Sequence, residues 1–278
     1  MTDTRPSILI TGSSSGIGYH CAHALRDRGW RVFASCRQQA DCDRLTAEGF
    51  EAPRLDYADA ASIETGLTAV LDATGGRLDA LFNNGAHACP GAVEDLPTQA
   101  LREIFEANVF GWHDLTRRVI PVMRAQGAGR IVQNSSVLGF TPYRWRGAYG
   151  TSKFALEGLS RILQLEMSDT PIKVVLIQPG PVSSRIRVNS IPHFERWIDW
   201  RASPRRAQYE GGLLQRLYEG GPKDRFELGP EAVARVLVKA LEHPNPRPRY
   251  TVTLPTAFMA WATRLMPDRA LLRFLARF

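Results

Sequence analysis

The chain has 278 residues, 44% hydrophobic and 23% charged, a composition that suits a soluble globular protein with a full core and excludes a disordered one. Its 35 Lys and Arg against 28 Asp and Glu leave a net charge of +7 and a pI near 9.5. The basic residues are scattered and form no nucleic-acid-binding motif, so the charge points to an anionic ligand or surface rather than to nucleic acid.

Short β-branched runs alternate with helical stretches from the first residues onward. The run SILITG leads into an amphipathic segment ending at Gly29, and RVFASC leads into a polar helical stretch. A third strand, EAPRLD, precedes a helix ending near Gly75 and Gly76, and RLDALFNN then enters a Gly/Pro loop. A long helical region follows through Met123, then GRIVQNSS, a helix that begins near Tyr149, and IKVVLIQPG. RPRYTVTL supplies a seventh strand. Strands apolar on both faces and separated by helices predict a single α/β domain over residues 1–255, a doubly wound parallel sheet of about seven strands with helices on both faces. Pro181 to Leu228 breaks the rhythm with Arg-, Pro- and Trp-rich sequence, and an insertion of that length is expected to be functional. The tail, 256–278, predicts an amphipathic helix after Pro267 with Leu271, Phe274, Leu275 and Phe278 on one face and Arg269, Arg273 and Arg277 on another. That helix has three destinations open to it: the domain or a second subunit, a weak peripheral membrane contact, or a cap over a substrate pocket.

Cys21, Cys36, Cys42 and Cys89 show neither C-x-x-C spacing nor a zinc pattern, which predicts reduced thiols and no metal site. The first strand starts too early for a signal peptide, and no apolar run reaches the ~18 residues of a membrane span. A cytoplasmic location is the expectation.

The candidate ligand site begins at TGSSSGIG, residues 11–18, where Gly12, Gly16 and Gly18 join the first strand to a helix. Glycines there let the backbone approach a pyrophosphate that the helix N-terminus attracts. Arg37 follows the second strand where an acid would accept from the ribose of NAD; an arginine suits the 2′-phosphate of NADP, or is a surface residue capping a turn. Asp56 either meets the adenine or caps the next helix. Asn83 to Ala86, NNGA, ends the fourth strand at the crevice of such a sheet.

These motifs in order, with Asn108, a serine upstream of YGTSK, and PG after the sixth strand, resemble the short-chain dehydrogenase/reductase family over about Ser7 to Ser184. The resemblance implies a Rossmann-type fold, an NADP(H) cofactor and hydride transfer between the nicotinamide and a carbonyl or alcohol carbon. It carries cofactor contacts onto Gly12, Ser14, Ser15, Gly16, Ile17 and Gly18, onto Arg37, Asp56, Asn83 and Gly85, and onto Pro179, Gly180, Val182 and Ser184, with Ser184 standing where the family usually has Thr. It carries catalysis onto Asn108, Ser136, Tyr149 and Lys153, with Tyr149 and Lys153 also touching the cofactor. One departure is the order Gly85-Ala86, where the family most often has Ala-Gly. Ser136 is the expected hydroxyl polarising the substrate oxygen, with Ser135 the competing choice.

Tyr149 and Lys153 are four apart in a helix and so share a face. A free phenol near pKa 10 is a poor proton carrier at neutral pH; bringing it down by about three units takes about 4 kcal/mol, which a neighbouring ammonium and a cationic ring are expected to provide. FGWHDLTRRVIPVMR and SKFALEGLS are similar to the hydroxysteroid and retinol dehydrogenase-like branch. The expected substrate is thus an apolar alcohol or ketone, steroid-, retinoid- or long aliphatic-like. Residues 181–228 are its expected lid: Ile186, Val188, Ile191, Phe194, Trp197, Ile198 and Trp200 form the wall, and Arg201, Arg205 and Arg206 ring the mouth. A 3-oxoacyl-thioester reductase and a non-catalytic NADP-binding regulator are the alternatives, and a homodimer or homotetramer is the expected assembly.

Overall fold

A computed structural model describes residues 4–220 and 225–277. Residues 221–224 of the expected lid and Phe278 of the expected tail lie outside it. Six parallel strands form one sheet: β1 (Ser7–Ile10), β2 (Arg31–Ala34), β3 (Ala80–Asn83), β4 (Gly129–Asn134), β5 (Ile172–Gln178) and β6 (Arg249–Thr251), in the order β2-β1-β3-β4-β5-β6. Because successive side chains point to opposite faces, Ile8, Ile10, Phe82, Val132, Val175 and Ile177 enter one core while Leu9, Leu81, Ile131 and Val174 enter the other. Helices α1 (Gly16–Arg26), α2 (Gln39–Ala47) and α9 (Glu231–Glu242) cover the first face. Helices α3 (Ala60–Thr74), α5 (Gly111–Ala125) and α6 (Gly147–Glu166) cover the second.

The expected third strand is reduced to two isolated parallel bridges, Phe33 with Glu51 and Cys36 with Arg54, so the sheet has six strands and not seven. The reason is chemical. The Ala34 N–H reaches the Glu51 carbonyl at 2.8 Å and the Leu55 N–H reaches the Cys36 carbonyl at 2.9 Å, but the donor due between them belongs to Pro53, which has no N–H.

Helix α4 (Thr98–Phe105) runs through a π turn at Glu106–Phe110 into α5. Beyond β5 the irregular-looking stretch is largely helical: α7 (Ile186–Trp197), the short α8 (Arg206–Gln208), and π turns at Tyr209–Leu213 and Gln215–Glu219. Phe194, Ile198, Tyr209, Leu213 and Leu217 are buried there against Cys89, Ala92, Ile104 and Ala148 of the body. The tail forms two helices, α10 (Leu254–Leu265) and α11 (Asp268–Leu275). Leu271, Phe274 and Leu275 pack on Met259, Ala262, Val137 and Phe140, so of the three destinations that face takes the domain. Among the described residues no helix is long and apolar enough to cross a membrane.

Candidate active site

The ligand crevice of a doubly wound sheet opens at the carboxyl ends of the strands, where the order reverses between β1 and β3. Gly12 stands there with φ +64°, and a Cβ on it would lie 2.5 Å from the Cα of Gly85. A Cβ on Gly18 would strike the Gly12 carbonyl and the Asn84 amide. These close approaches require glycine at 12 and 18, and Gly85 packs on Gly12 with its carbonyl held by the Trp112 Nε1–H at 2.7 Å. Ser15 precedes α1 but its side chain does not cap it, which leaves the first amides of Gly16, Ile17 and Gly18 for an anion. The turn and the bare helix end therefore fit a dinucleotide pyrophosphate. Ile17 packs on the core beneath, and Ser184 lies 3.5 Å from where a Gly16 Cβ would stand.

Arg37 is exposed just past β2, with its carbonyl held by Arg54 at 3.1 Å. A second arginine unforeseen from the sequence, Arg44, bonds the Ser14 carbonyl at 2.7 Å while paired with Glu48 and Asp41. Asp56 accepts from the Ala58 N–H at 3.0 Å, and the residue that caps α3 is Asp59 instead. Asn83 corrects its expectation in part. Its side chain is fully buried, accepting from the Tyr57 hydroxyl at 2.5 Å and donating to Thr116 and Gln133 at 3.0 Å each, so only its backbone is left for a ligand. Asn84 takes the site-facing part: its Nδ2 donates to the Thr11 and Gly12 carbonyls at 3.0 and 3.2 Å, and its Oδ1 accepts from Asn134 at 2.8 Å.

On the other side of β5, the Pro179 carbonyl accepts from the Val137 N–H at 2.7 Å. A Cβ on Gly180 would strike the hydroxyls of Thr253 and Thr256, and Val182 bridges Leu228. The loop that holds these residues is thereby fixed between the Ser136 turn and α10.

Tyr149 and Lys153 do share a face of α6. The Ser136 hydroxyl is hydrogen-bonded with the Tyr149 phenol, while Ser135 is buried with its hydroxyl lacking a partner among the described residues, which separates the two serines. Lys153 is fully buried, donates to the Asn134 carbonyl at 2.9 Å and sits 4.1 Å over the Trp112 ring and 5.7 Å from the Tyr149 ring. Asn108 lies in the π turn between α4 and α5. Its Oδ1 accepts from the His87 N–H at 3.1 Å and its Nδ2 donates to the His87 carbonyl and the Ser152 hydroxyl at 2.9 and 3.1 Å.

The electrostatics run against the expectation of a lowered phenol. Burial pushes Tyr149 up to about 12, opposed by the Ser136 bond and the Arg146 charge. Burial also lowers Lys153 to about 7 against the pull of Glu157, so at neutral pH the lysine carries roughly half a charge. Desolvation is the largest cause of both shifts.

Above Tyr149 lies a cavity of about 110 Å³ with Ala88, Ile186, Leu213 and Leu217 as its apolar wall and Arg146, Arg187, Arg216 and Ser190 as its polar groups. Of the expected wall residues only Ile186 faces it. Phe194 and Ile198 are spent inside the body, and Val188 is exposed. The expected arginines are engaged elsewhere: Arg201 over Trp200, Arg205 with Glu94, Arg206 with Glu210 at 2.9 Å. Nor did the sequence suggest that His87, Glu103 and His193 would stand together, ligand atoms within 4.8 Å. Glu103 there accepts from His193, Arg196 and Trp197 at 2.9, 3.2 and 3.2 Å, which binds it to α7.

Residues 6–193 match the family model of short chain dehydrogenases. The chain is 35% identical over 271 residues to the uncharacterized oxidoreductase YbbO of Escherichia coli K12, covering 98% of this chain and 94% of that one. It is 30% identical to human 17-beta-hydroxysteroid dehydrogenase type 1 over 90% of this chain and 78% of that one. Its fold superposes on a short chain dehydrogenase/reductase of Burkholderia phymatum in complex with NAD with a TM-score of 0.79, at 25% identity and over 98% and 96% of the two chains. With the ordered motifs assembled at one crevice and this breadth of likeness, the chain belongs to the short-chain dehydrogenase/reductase family of oxidoreductases.

Proposed function

We propose that this chain is an NADP(H)-dependent oxidoreductase acting on the carbonyl or alcohol carbon of a substrate with an apolar body, with Tyr149 as general acid/base. The observation that carries the reading is the Ser136–Tyr149 hydroxyl pair, with Tyr149 facing a cavity that has an apolar wall and Lys153 on the same helix face. The nicotinamide, when bound, supplies or accepts the hydride. Ser136 and Tyr149 direct two hydroxyls at the position of the substrate oxygen, where charge develops in the transition state. Tyr149 is buried and protonated at neutral pH, so it can give a proton to that oxygen in reduction and take one back in oxidation. Lys153 and Asn108 hold the face of α6 and the His87 loop around it.

Arg37 and Arg44 beside the Gly-rich turn support NADP over NAD, since two guanidiniums suit a 2′-phosphate. Residues 181–228 act as the substrate lid, through Ile186, Arg187 and Leu213 at the cavity. Exposed Phe154, Ile162 and Leu165 on α6 support a homo-oligomer, and exposed Phe258 and Trp261 on α10 give either that assembly or a membrane surface a place to bind. Four free, buried thiols suit a reducing, cytoplasmic setting.

A panel of steroid, retinoid, aliphatic ketone and acyl-thioester substrates, followed by NADPH and NADH absorbance, tests the reading. Turnover with NADPH that is absent in Tyr149→Phe supports it. NADPH binding with no turnover of any carbonyl would leave a cofactor-binding regulator.

A further inference from the structure

Three arginines from three separate elements line the cavity beside Tyr149: Arg146 just before α6, Arg187 on α7, and Arg216 in the last π turn. Among the described residues none of the three is ion-paired with a carboxylate, whereas the arginines farther along the lid all have partners of their own. Burial, and after it the Arg216 charge, lower the Arg146 pKa, opposed by the Tyr143 and Tyr149 phenols. Among the described residues no acidic side chain lines the cavity.

The backbone enforces this placement. Trp145, immediately before Arg146, has φ +65°, the left-handed region that a bulky aromatic residue rarely enters. It is held there by the Gly91 N–H on its carbonyl at 3.0 Å and by its ring against Tyr209 at 4.8 Å. Arg146 in turn bridges Gly91. On the far side the Arg187 guanidinium donates to the Arg216 carbonyl at 3.1 Å, tying the other two elements together. A strained residue, fixed by two independent contacts, sets a half-buried arginine one helical turn before the proton-donating tyrosine.

We infer that the cavity beside Tyr149 is an oxyanion subsite, and that the substrate joins its apolar carbonyl-bearing body to a carboxylate or phosphate held by Arg146 with Arg187 and Arg216 behind it. The inference rests on the carbonyl-reductase reading and narrows its substrate from a neutral alcohol or ketone to an oxo acid or its phosphate counterpart. A cavity of about 110 Å³ has room for about eight water-sized groups, so the enclosed part takes a short acyl segment and its anionic end. The apolar wall of Ile186, Leu213 and Leu217 meets the alkyl portion.

The test uses octanoate, octyl phosphate and the neutral octanamide, titrated into the protein with NADPH bound and followed by tryptophan fluorescence and calorimetry. One of the two anions is expected to bind at least about tenfold tighter than octanamide, a preference that charge-assisted bonds provide. Which anion leads separates a carboxylate from a phosphate substrate. Arg146→Gln should bring the preference to within about twofold of unity, Arg146→Lys should keep part of it, and the NADPH dissociation constant should stay within about twofold in both. Arg216→Gln, an exposed position, gives the same readout should the Arg146 variants not fold. Octanamide binding as tightly as both anions, or a preference unchanged in both Gln variants, overturns the inference while leaving carbonyl reduction intact. Arg146-dependent anion binding without any NADPH-linked reduction of 7-oxooctanoate keeps the subsite and overturns the carbonyl-reductase reading instead.

Discussion

Replacing Lys153 by Met should remove activity and yet make the ligand-free protein more stable at neutral pH. The lysine is fully buried, and its pKa falls from 10.5 in water to about 7. That displacement corresponds to about 5 kcal/mol of cost for the charged form relative to the unfolded chain. Against it stand the hydrogen bond to the Asn134 carbonyl, about 1–3 kcal/mol when the partner is left unpaired, and the contact with the Trp112 ring, about 1–2 kcal/mol. Met fills similar volume with no charge to desolvate, so Lys153→Met should gain about 1–2 kcal/mol at pH 7. The pH dependence is the sharper readout. Between the folded pKa near 7 and the unfolded value of 10.5, the unfolded chain binds one more proton than the native protein, so wild-type stability rises with pH by about 1.4 kcal/mol per unit. The variant lacks this rise. From pH 7.5 to 9 its advantage in Tm should shrink by about 3–5 °C, measured by differential scanning fluorimetry on both proteins in the same buffers. A gap that stays constant or widens over that range would refute the assignment of a desolvated, half-neutral lysine.

Tyr149→Phe should lower kcat at least about a hundredfold while NADPH affinity stays within a few-fold, since it removes the proton donor and little cofactor contact; single-turnover absorbance and calorimetry read the two separately. Arg37→Asp should invert or collapse a preference for NADP over NAD of about tenfold to a hundredfold, mostly through KM, and a ratio left unchanged would make Arg37 a surface residue. Gly12→Ala should abolish NADPH binding and lower Tm, because the new Cβ would stand 2.5 Å from the Gly85 Cα at a φ of +64°. Gly85→Ala should cost only about 1 kcal/mol by chemical denaturation, its Cβ meeting the Gly12 N and the Tyr57 ring at 3.3 Å each.

The parts legible in the sequence are those whose chemistry is local. A glycine spacing after a strand, a Tyr and a Lys one turn apart, and a serine at a strand's end each fix their own geometry within a few residues, and each stands at the crevice as read. The parts that were not legible depend on distant packing. Asn83 and Asn84 look interchangeable in NNGA, but strand alternation sends the first into the interior toward Tyr57 and the second to the Gly-rich turn. Pro53 carried its own warning, since a missing N–H demotes a strand wherever a ladder needs that donor. In the stretch from 181 to 228 the aromatics and arginines were visible, but their destinations were set by which of them could be buried against Cys89, Ile104 and Ala148. Arg146 did leave a signal: it lies three residues before Tyr149, the spacing that puts two helical side chains on one face.

Hydrogen bonds tie the cofactor side of the crevice to the proton-donating side without passing through solvent. The Thr11 hydroxyl accepts from the Asn84 and Gly85 amides at 2.9 and 3.2 Å and pairs with the Tyr57 hydroxyl at 2.6 Å. The Asn84 side chain grips the Thr11 and Gly12 carbonyls and accepts from Asn134, whose own carbonyl receives the Lys153 ammonium. Buried polar groups in such a chain are costly to leave unpaired, so displacing any one of them disturbs its neighbours. The Gly-rich turn and the lysine beneath Tyr149 are therefore one rigid unit. Arg187 and Arg216 belong to elements joined to the body by apolar packing and by polar bonds at Glu103, Ala92 and Asp95, none of them a member of that chain of bonds. Arg146 stands beside Tyr149 at the start of α6, whereas Arg187 and Arg216 lie outside the bonded unit, so substitutions at those two are the ones expected to alter the cavity's lining while the unit keeps its geometry.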